Sequence, residues 1–256
     1  IFGSNINYII ELSKSKNKIN EEKIIQFLRN GYREVFSNNE TFFKNIYSIS
    51  PGYSMTIDKN LNVKFSNYWK KSKFKPINSS LPNRSKKLKE LISLNFKKSF
   101  RSDTSLAFLL SGGIDSSIIA HLSKSIKNKT KFFSYRSLSN QYDEKKNIDQ
   151  IVKKLKLKHE YVYPNKNTNF VNLKNMIYDF GFPLMSSTYL AYAELCKTIK
   201  KQNYKVLISG NGGDELFSGY YSHHMSYLVS TEKEKLFNKY IKDWERNTKP
   251  YIRLDV

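Results

Sequence analysis

Two short stretches hold the residues best equipped for chemistry. The first is SGGIDSS (111–117), which follows the apolar run 106–110 and opens a helical pattern. Gly112 and Gly113 let the backbone turn tightly and approach a ligand without a Cβ in the way. Ser116 and Ser117 place hydroxyls at a helix start, where unsatisfied N–H groups favour an anion. The pattern suits a phosphate loop, and it equally suits a glycine turn capped by Asp and Ser; spacing alone leaves both open. The Gly-Lys-[Ser/Thr] ending of a Walker A loop is missing. A carboxylate beside a phosphate is stable when a divalent cation lies between them, so Asp115 implies Mg²⁺. The second stretch is SGNGGDELFSGY (209–220), after the apolar run 205–208. Its glycines Gly210, Gly212, Gly213 and Gly219 make a turning loop, and Asp214 with Glu215 forms a carboxylate pair that could reach a metal-bound phosphate. The bland alternative is a solvated helix cap. Two such loops in one chain favour function.

The surrounding elements must hold these loops at one edge. Helical patterns are expected at 86–99, 116–127, 144–157, 168–179 and 187–202, and Ile148, Ile151, Val152 and Leu155 show the clearest single face. Between them lie short apolar stretches at 106–110, 132–135, 159–163 and 205–208, suited to interior strands. Alternating strands and helices predict an α/β fold with a parallel sheet and helices on both faces, and ligands in such sheets sit at the carboxyl ends of strands. Upstream the rhythm differs. A short helix is expected at 20–30 with Ile24, Ile25 and Leu28 on one face, then a hairpin of Tyr53–Ile57 and 63–69 around a loop at 58–60. Residues 70–84, rich in Lys, Ser and Asn with two prolines, read as a linker. The expected division is 1–69, linker 70–84, and 85–256.

FLLSGGIDSS and ISGNGGDELFSGY together resemble the two hallmark motifs of the asparagine synthetase family, whose synthetase domain has the PP-loop ATP pyrophosphatase fold. YDEKKNIDQIVKKLKLKHEYVY (142–163) is similar to the family's segment between them. FGSNINYII (2–10) and TFFKNIYSISPGYSMTID (41–58), followed by Tyr68-Trp69, resemble the β-rich close of its N-terminal nucleophile glutaminase domain. The resemblance implies an ATP-dependent ligase that converts a carboxylate, such as aspartate, to an acyl adenylate with release of pyrophosphate, and then aminates it with glutamine-derived ammonia. Carried over, Ser111, Gly112, Gly113, Asp115, Ser116 and Ser117 would hold the pyrophosphate portion of ATP. Leu110, Tyr135, Ser209 and Gly210 would line the adenosine site, and Asp115 and Asp214 would share Mg²⁺. Glu215 would support them, and Tyr220 is expected to pack at the loop end, with a hydrogen bond there as the alternative. Asn211 stands where the family usually has an acidic residue that handles protons in the amination. Asn takes no proton at neutral pH, so another acceptor, a sugar or secondary metabolite, is the alternative.

At 256 residues the chain is long enough for one large or two modest domains, and a hydrophobic content of 39% supports a real core. Apolar runs are too short to span a bilayer, so a soluble, cytoplasmic protein is expected. The net charge of +22 would attract nucleic acid or anionic membrane, but Lys far outnumbers Arg and the excess is spread along the chain. A solvated surface is the expectation, and a non-catalytic basic binding protein is the remaining alternative. A homodimer is compatible with this reading. The single cysteine, Cys196, excludes an internal disulfide and a cysteine zinc cluster. With Tyr189, Tyr192, Ala193 and Ile199 at helical spacing around it, it is expected to be a buried structural thiol. His159 fits a strand start and is expected to be structural rather than a base; His223 and His224 follow the acidic loop and are expected at the surface, with a place facing the ligand as the alternative. The first residue is Ile1, no internal cysteine can act as the family's N-terminal nucleophile, and the family's later basic phosphate contacts are expected beyond Val256. A fragment of a longer protein is therefore the expectation.

Overall fold

The structure, a computed structural model, describes residues 1–13, 18–69, 79–126, 130–136, 143–165, 169–231 and 234–251. Ten helices lie among the described residues: α1 (Ile6–Ser13), α2 (Glu21–Asn30), α3 (Leu81–Ser99), α4 (Ile114–Leu122), α5 (Lys145–Leu155), α6 (Asn169–Phe180), α7 (Thr188–Lys201), α8 (Gly213–Phe217), α9 (Tyr221–Val229) and α10 (Glu234–Asn247). The strands are β1 (Tyr53–Ile57), β2 (Val63–Asn67), β3 (Leu106–Leu109), β4 (Thr130–Tyr135), β5 (His159–Val162) and β6 (Val206–Ile208). The last four form a parallel sheet in the order β5-β4-β3-β6, flanked by helices. No described helix is long and apolar enough to cross a membrane.

The sheet owes its centre to β3, whose Leu106, Ala107 and Phe108 are wholly buried. A strand covered on both sides by helices has no face for polar residues, so it reads as a continuous apolar run. Phe108 stacks on Phe132 of β4 with ring centroids 4.9 Å apart. β3 and β6 pair in register, Leu106 with Val206, Ala107 with Leu207 and Phe108 with Ile208. Continuing that register sets Leu110 level with Gly210, so the loops leaving these two strands start side by side.

The chain divides into two compact units: Ile1–Arg101 with Phe133–Asp143 and Glu160–Lys205, and Ser102–Phe132 with Glu144–His159 and the chain from Val206 onward. In the first, β1 and β2 form an antiparallel hairpin pairing Tyr53 with Asn67 and Ile57 with Val63. Its loop is tied by Asp58, whose carboxylate accepts the N–H groups of Asn60 and Asn62 and the Asn62 amide. These bonds hold the Asp58 carboxyl below the ordinary carboxylate range.

Two expectations for this unit need correction. Helix α2 leaves Ile25 and Leu28 exposed, and the residue it buries completely is Lys23. The Lys23 ammonium reaches Glu34 Oε1 at 3.3 Å, Ser37 Oγ at 3.1 Å and Asn38 Oδ1 at 2.9 Å. Three acceptors offset the cost of burying the charge, which an apolar periodicity cannot anticipate. Cys196 is exposed, because Leu195 and Ile199 take the buried face of α7 and the thiol sits one step round. Partial desolvation still pushes the thiol up, away from thiolate.

Of the linker assigned to 70–84, residues 70–78 lie outside the described residues. Helix α3 begins at Leu81, with Ser80 before it and Pro82 in its first turn, where a proline's missing N–H costs no helical bond.

Candidate active site

The site lies within the second unit. Gly112 takes φ +84°, a left-handed conformation that sends the chain from β3 into α4. A Cβ there would lie 3.2 Å from Asn147 Cβ and 3.3 Å from Ile148 Cγ1, so α5 packs tightly beneath the turn. Gly113 is the N-cap of α4 and no side chain caps that helix. The serines instead bind the loop to itself. Ser116, almost wholly buried, accepts the Ser111 N–H at 3.2 Å and donates to the Gly113 carbonyl at 3.1 Å. Ser117 donates to the same carbonyl at 2.6 Å, and Gly113 N–H donates to Ser111 Oγ at 3.3 Å. The result is a preformed turn around a helix start whose dipole favours negative charge.

The acidic loop closes against this turn through its glycines. A Cβ on Gly210 would lie 3.1 Å from Asp115 Cβ and 3.2 Å from the Ser116 nitrogen. One on Gly213 would overlap the Asp115 carboxylate, and one on Gly219 would overlap the Asp214 carboxylate. Glycine is required at these places by close approach. Asp115 is thereby drawn under the loop, and its carboxyl is pushed up, first by burial and then by the negative charges of Asp214 and Glu215. Like charges brought this close are stable when a cation neutralises them. Among the described residues no three acidic, His or Cys side chains converge to hold a metal by themselves. Two neighbouring carboxylates fit Mg²⁺, which keeps few protein ligands and completes its shell with substrate and water.

Tyr220 donates to Glu215 Oε1 at 2.8 Å while its ring meets His223 edge-on at 5.2 Å. Tyr220 therefore does both things open to it at the loop end, packing and hydrogen-bonding. That bond, with lesser help from backbone N–H groups and His223, holds the Glu215 carboxyl below the ordinary range. Ser218 adopts φ +60° at the end of α8, and its carbonyl receives a hydrogen bond from His224 Nε2 at 2.9 Å. His223 is half-buried with its Nδ1 fully buried, contrary to surface placement.

Of the residues singled out from sequence, the structure brings Ser111, Gly112, Gly113, Asp115, Ser116, Ser117, Gly210, Asp214 and Glu215 into this one cluster. Ser209 and Asn211 flank Gly210, with Asn211 exposed, and Leu110 lies buried beneath the turn. Tyr135 closes β4 in the first unit, where burial and Glu194 push its hydroxyl up. The contacts of Gly213 and Gly219 escaped the sequence reading. The glycines were visible as turn formers but their carboxylate neighbours were not.

A parallel sheet with an uncapped glycine-serine turn at one strand end and an acidic glycine loop at the next defines an α/β unit with its candidate site at the carboxyl ends of neighbouring strands. The family model described as asparagine synthase matches residues 87–252, and the chain belongs to the asparagine synthase family. It is 25% identical over 246 residues to a putative glutamine-hydrolysing asparagine synthetase 2 of Methanocaldococcus jannaschii, covering 90% of this chain and 44% of that protein. It is 28% identical over 182 residues to glutamine-hydrolysing asparagine synthetase 1 of Bacillus subtilis, covering 70% of this chain and 28% of that one. The chain thus spans less than half the length of these relatives. Among solved structures, an NH3-dependent NAD synthetase from Campylobacter jejuni overlays 56% of this chain and 61% of its own, at 18% identity and TM-score 0.35. An NMN synthetase from Francisella tularensis overlays 56% and 60%, at 19% identity and TM-score 0.36.

Proposed function

We propose that this chain carries the synthetase portion of an ATP-dependent amide-forming ligase, with 1–69 as the close of a glutaminase-like domain, 70–84 as linker and 85–256 as the synthetase part. In this reading a carboxylate substrate, aspartate in the first instance, attacks the α-phosphorus of ATP, pyrophosphate leaves, and ammonia displaces AMP from the acyl adenylate. Ser111, Gly112, Gly113, Ser116 and Ser117, with the start of α4, hold the pyrophosphate portion through backbone N–H groups and the helix dipole. Leu110, Ser209 and Gly210 offer backbone to the adenosine. Asp115 and Asp214 would hold Mg²⁺, which supplies charge neutralisation for the departing pyrophosphate. Glu215, braced by Tyr220, adds negative potential beside Asp115 and keeps the cation preference of the site.

The observation that carries this reading is the interlock of Asp115 with Gly210 and Gly213, which makes one cluster of two loops distant in sequence. Pyrophosphate release from Mg²⁺-ATP tests it. Release that requires aspartate supports the full reading, and release that requires a different carboxylate moves the protein to another acceptor, as Asn211 in place of a proton-handling acid favours. No ATP-dependent release with any carboxylate sinks it.

A further inference from the structure

A cavity of about 430 Å³ opens within the first unit, lined by α1, the start of α2, the chain at 42–43, and the end of α6 with the turn after it. Its walls are held by bonds of their own. Ile19 bridges Phe43, the Asn20 N–H donates to the Phe42 carbonyl at 3.0 Å, and the Lys44 N–H donates to the Lys18 carbonyl at 2.8 Å. The Asn7 side-chain amide donates to the Tyr178 carbonyl at 2.7 Å, which pins α1 to the last turn of α6. Gly181, at φ +68°, passes so close to Ile6 that a Cβ there would overlap it. The ring of Phe182 is stacked on Phe180 at 5.5 Å and met edge-on by Phe36 at 5.7 Å. The cavity is therefore built before any ligand enters, and its size falls within the roughly 300–1,000 Å³ of small-molecule sites.

Its lining is chemically one-sided. Ile10, Ile24 and Ile177 supply aliphatic surface, and Phe42, Phe43 and Phe182 supply rings, so an apolar body gains by leaving water here. Among the described residues Glu11 is the one charged side chain of the lining, and it is exposed, at the rim. It sets a local negative charge in a chain whose net charge of +22 otherwise favours anions. Ring faces and a carboxylate together suit an organic ammonium, which is attracted by both. We propose that this cavity binds a small aromatic amine, with its ring among the phenylalanines and its ammonium beside Glu11. The site lies apart from the two glycine loops and does not rest on the ligase reading.

Methyl NMR titration of the full chain, without nucleotide, tests this with tryptamine and its neutral counterpart tryptophol. Tryptamine is expected to shift the methyls of Ile10, Ile24 and Ile177 saturably, with a Kd on the order of 1 mM, which about a dozen non-hydrogen atoms allow. Tryptophol should bind the same methyls about 5-fold more weakly, the upper end of what one exposed ion pair contributes. Glu11→Gln, a change at an exposed side chain, should make the two probes bind equally. Ile177→Trp fills the cavity and should remove both, with the isoleucine methyls outside it unmoved. No saturable shift at these three methyls, or shifts spread over isoleucines throughout the chain, overturns the site. Equal binding of the two probes to wild type, or a preference that survives Glu11→Gln, overturns the amine assignment.

Discussion

The turn after β3 and the loop after β6 leave neighbouring parallel strands and are both rich in glycine, yet they are held by opposite means. The first is neutral except for Asp115 and is bound by its own hydroxyls, with Ser116 buried and bonded to the backbone on both sides of the turn. The second carries exposed charge and, beyond its backbone bonds, is braced by side chains that follow it, Tyr220 on Glu215 and His223, and His224 on the Ser218 carbonyl. In the proposed reading the first turn receives phosphate, which requires backbone donors in a fixed shape before the ligand arrives, so its hydroxyls are spent on shape. A loop that supplies charge has to keep its carboxylates close to one another, and close-packed glycines with aromatic bracing accomplish that.

The comparison breaks most visibly if charge is removed where the two meet. Asp115→Asn and Asp214→Asn are each expected to weaken Mg²⁺-ATP binding by about 100-fold or more, since a metal ion contributes several kcal/mol of charge stabilisation. Calorimetric titration with and without Mg²⁺ reads this, and affinity within a few-fold of wild type would refute a shared cation. Stability of the ligand-free protein should move the other way. Because the Asp115 carboxyl is raised in the folded state, that state binds the proton more tightly than the unfolded chain does. Its contribution favours folding below the ordinary carboxylate pKa and is lost as pH rises through the raised value. Asp115→Asn removes that loss, so without nucleotide the variant should melt higher than wild type at neutral pH and show a flatter pH dependence from the acid side.

Within the turn after β3 two adjacent glycines should respond differently. Gly112→Ala forces a side chain into φ +84° and against Asn147 and Ile148. The expected cost is about 1–3 kcal/mol in denaturant unfolding. Gly113 has φ −74°, and a Cβ there meets only Ser111 Oγ at 3.4 Å. Gly113→Ala should therefore lie within about 0.5 kcal/mol of wild type. Equal losses would mean that the turn is not held as described. Ser116→Ala comes next, because it leaves the Ser111 N–H without its acceptor in a buried setting. A lost partner of that kind costs about 1–3 kcal/mol, and a single neutral donor falls in the lower half of that range.

Much of this frame was legible in the sequence because buried parallel strands must be apolar: the runs at 106–110 and 205–208 became β3 and β6 with ends shifted by a residue or so. Helix α4 begins at Ile114, ahead of the expected 116, because a glycine at the N-cap leaves no capping side chain to mark it. Helix α10 went unread although Leu236, Tyr240 and Trp244 recur every fourth residue, a signal that was present. Lys23 and Cys196 could not be placed. The acceptors of one arrive from a later turn, and the phase of α7 depends on which face the rest of the fold covers. The two motif loops were recognisable, but that Gly213 sits on Asp115 and Gly219 on Asp214 follows only from the way the loops fold after β3 and β6.

The smallest expected effect separates the two loops most finely. Tyr220→Phe keeps the ring against His223 and removes only the hydroxyl that Glu215 accepts. Since that hydrogen bond is the largest influence lowering the Glu215 carboxyl, its midpoint should rise toward the ordinary value, read by carboxyl carbon NMR titration. A depressed carboxyl stabilises the fold above its unfolded pKa and loses that contribution as pH falls through the folded value, so the variant should show less acid-side loss than wild type. Asp115 should titrate as before, because neither neighbouring charge has been deleted at neutral pH. If Glu215 does not move, the Tyr220 hydroxyl is not its brace. The acidic loop would then be held, like the turn after β3, chiefly by contacts to its own backbone, Gly219 N–H on the Asp214 carbonyl and His224 on that of Ser218.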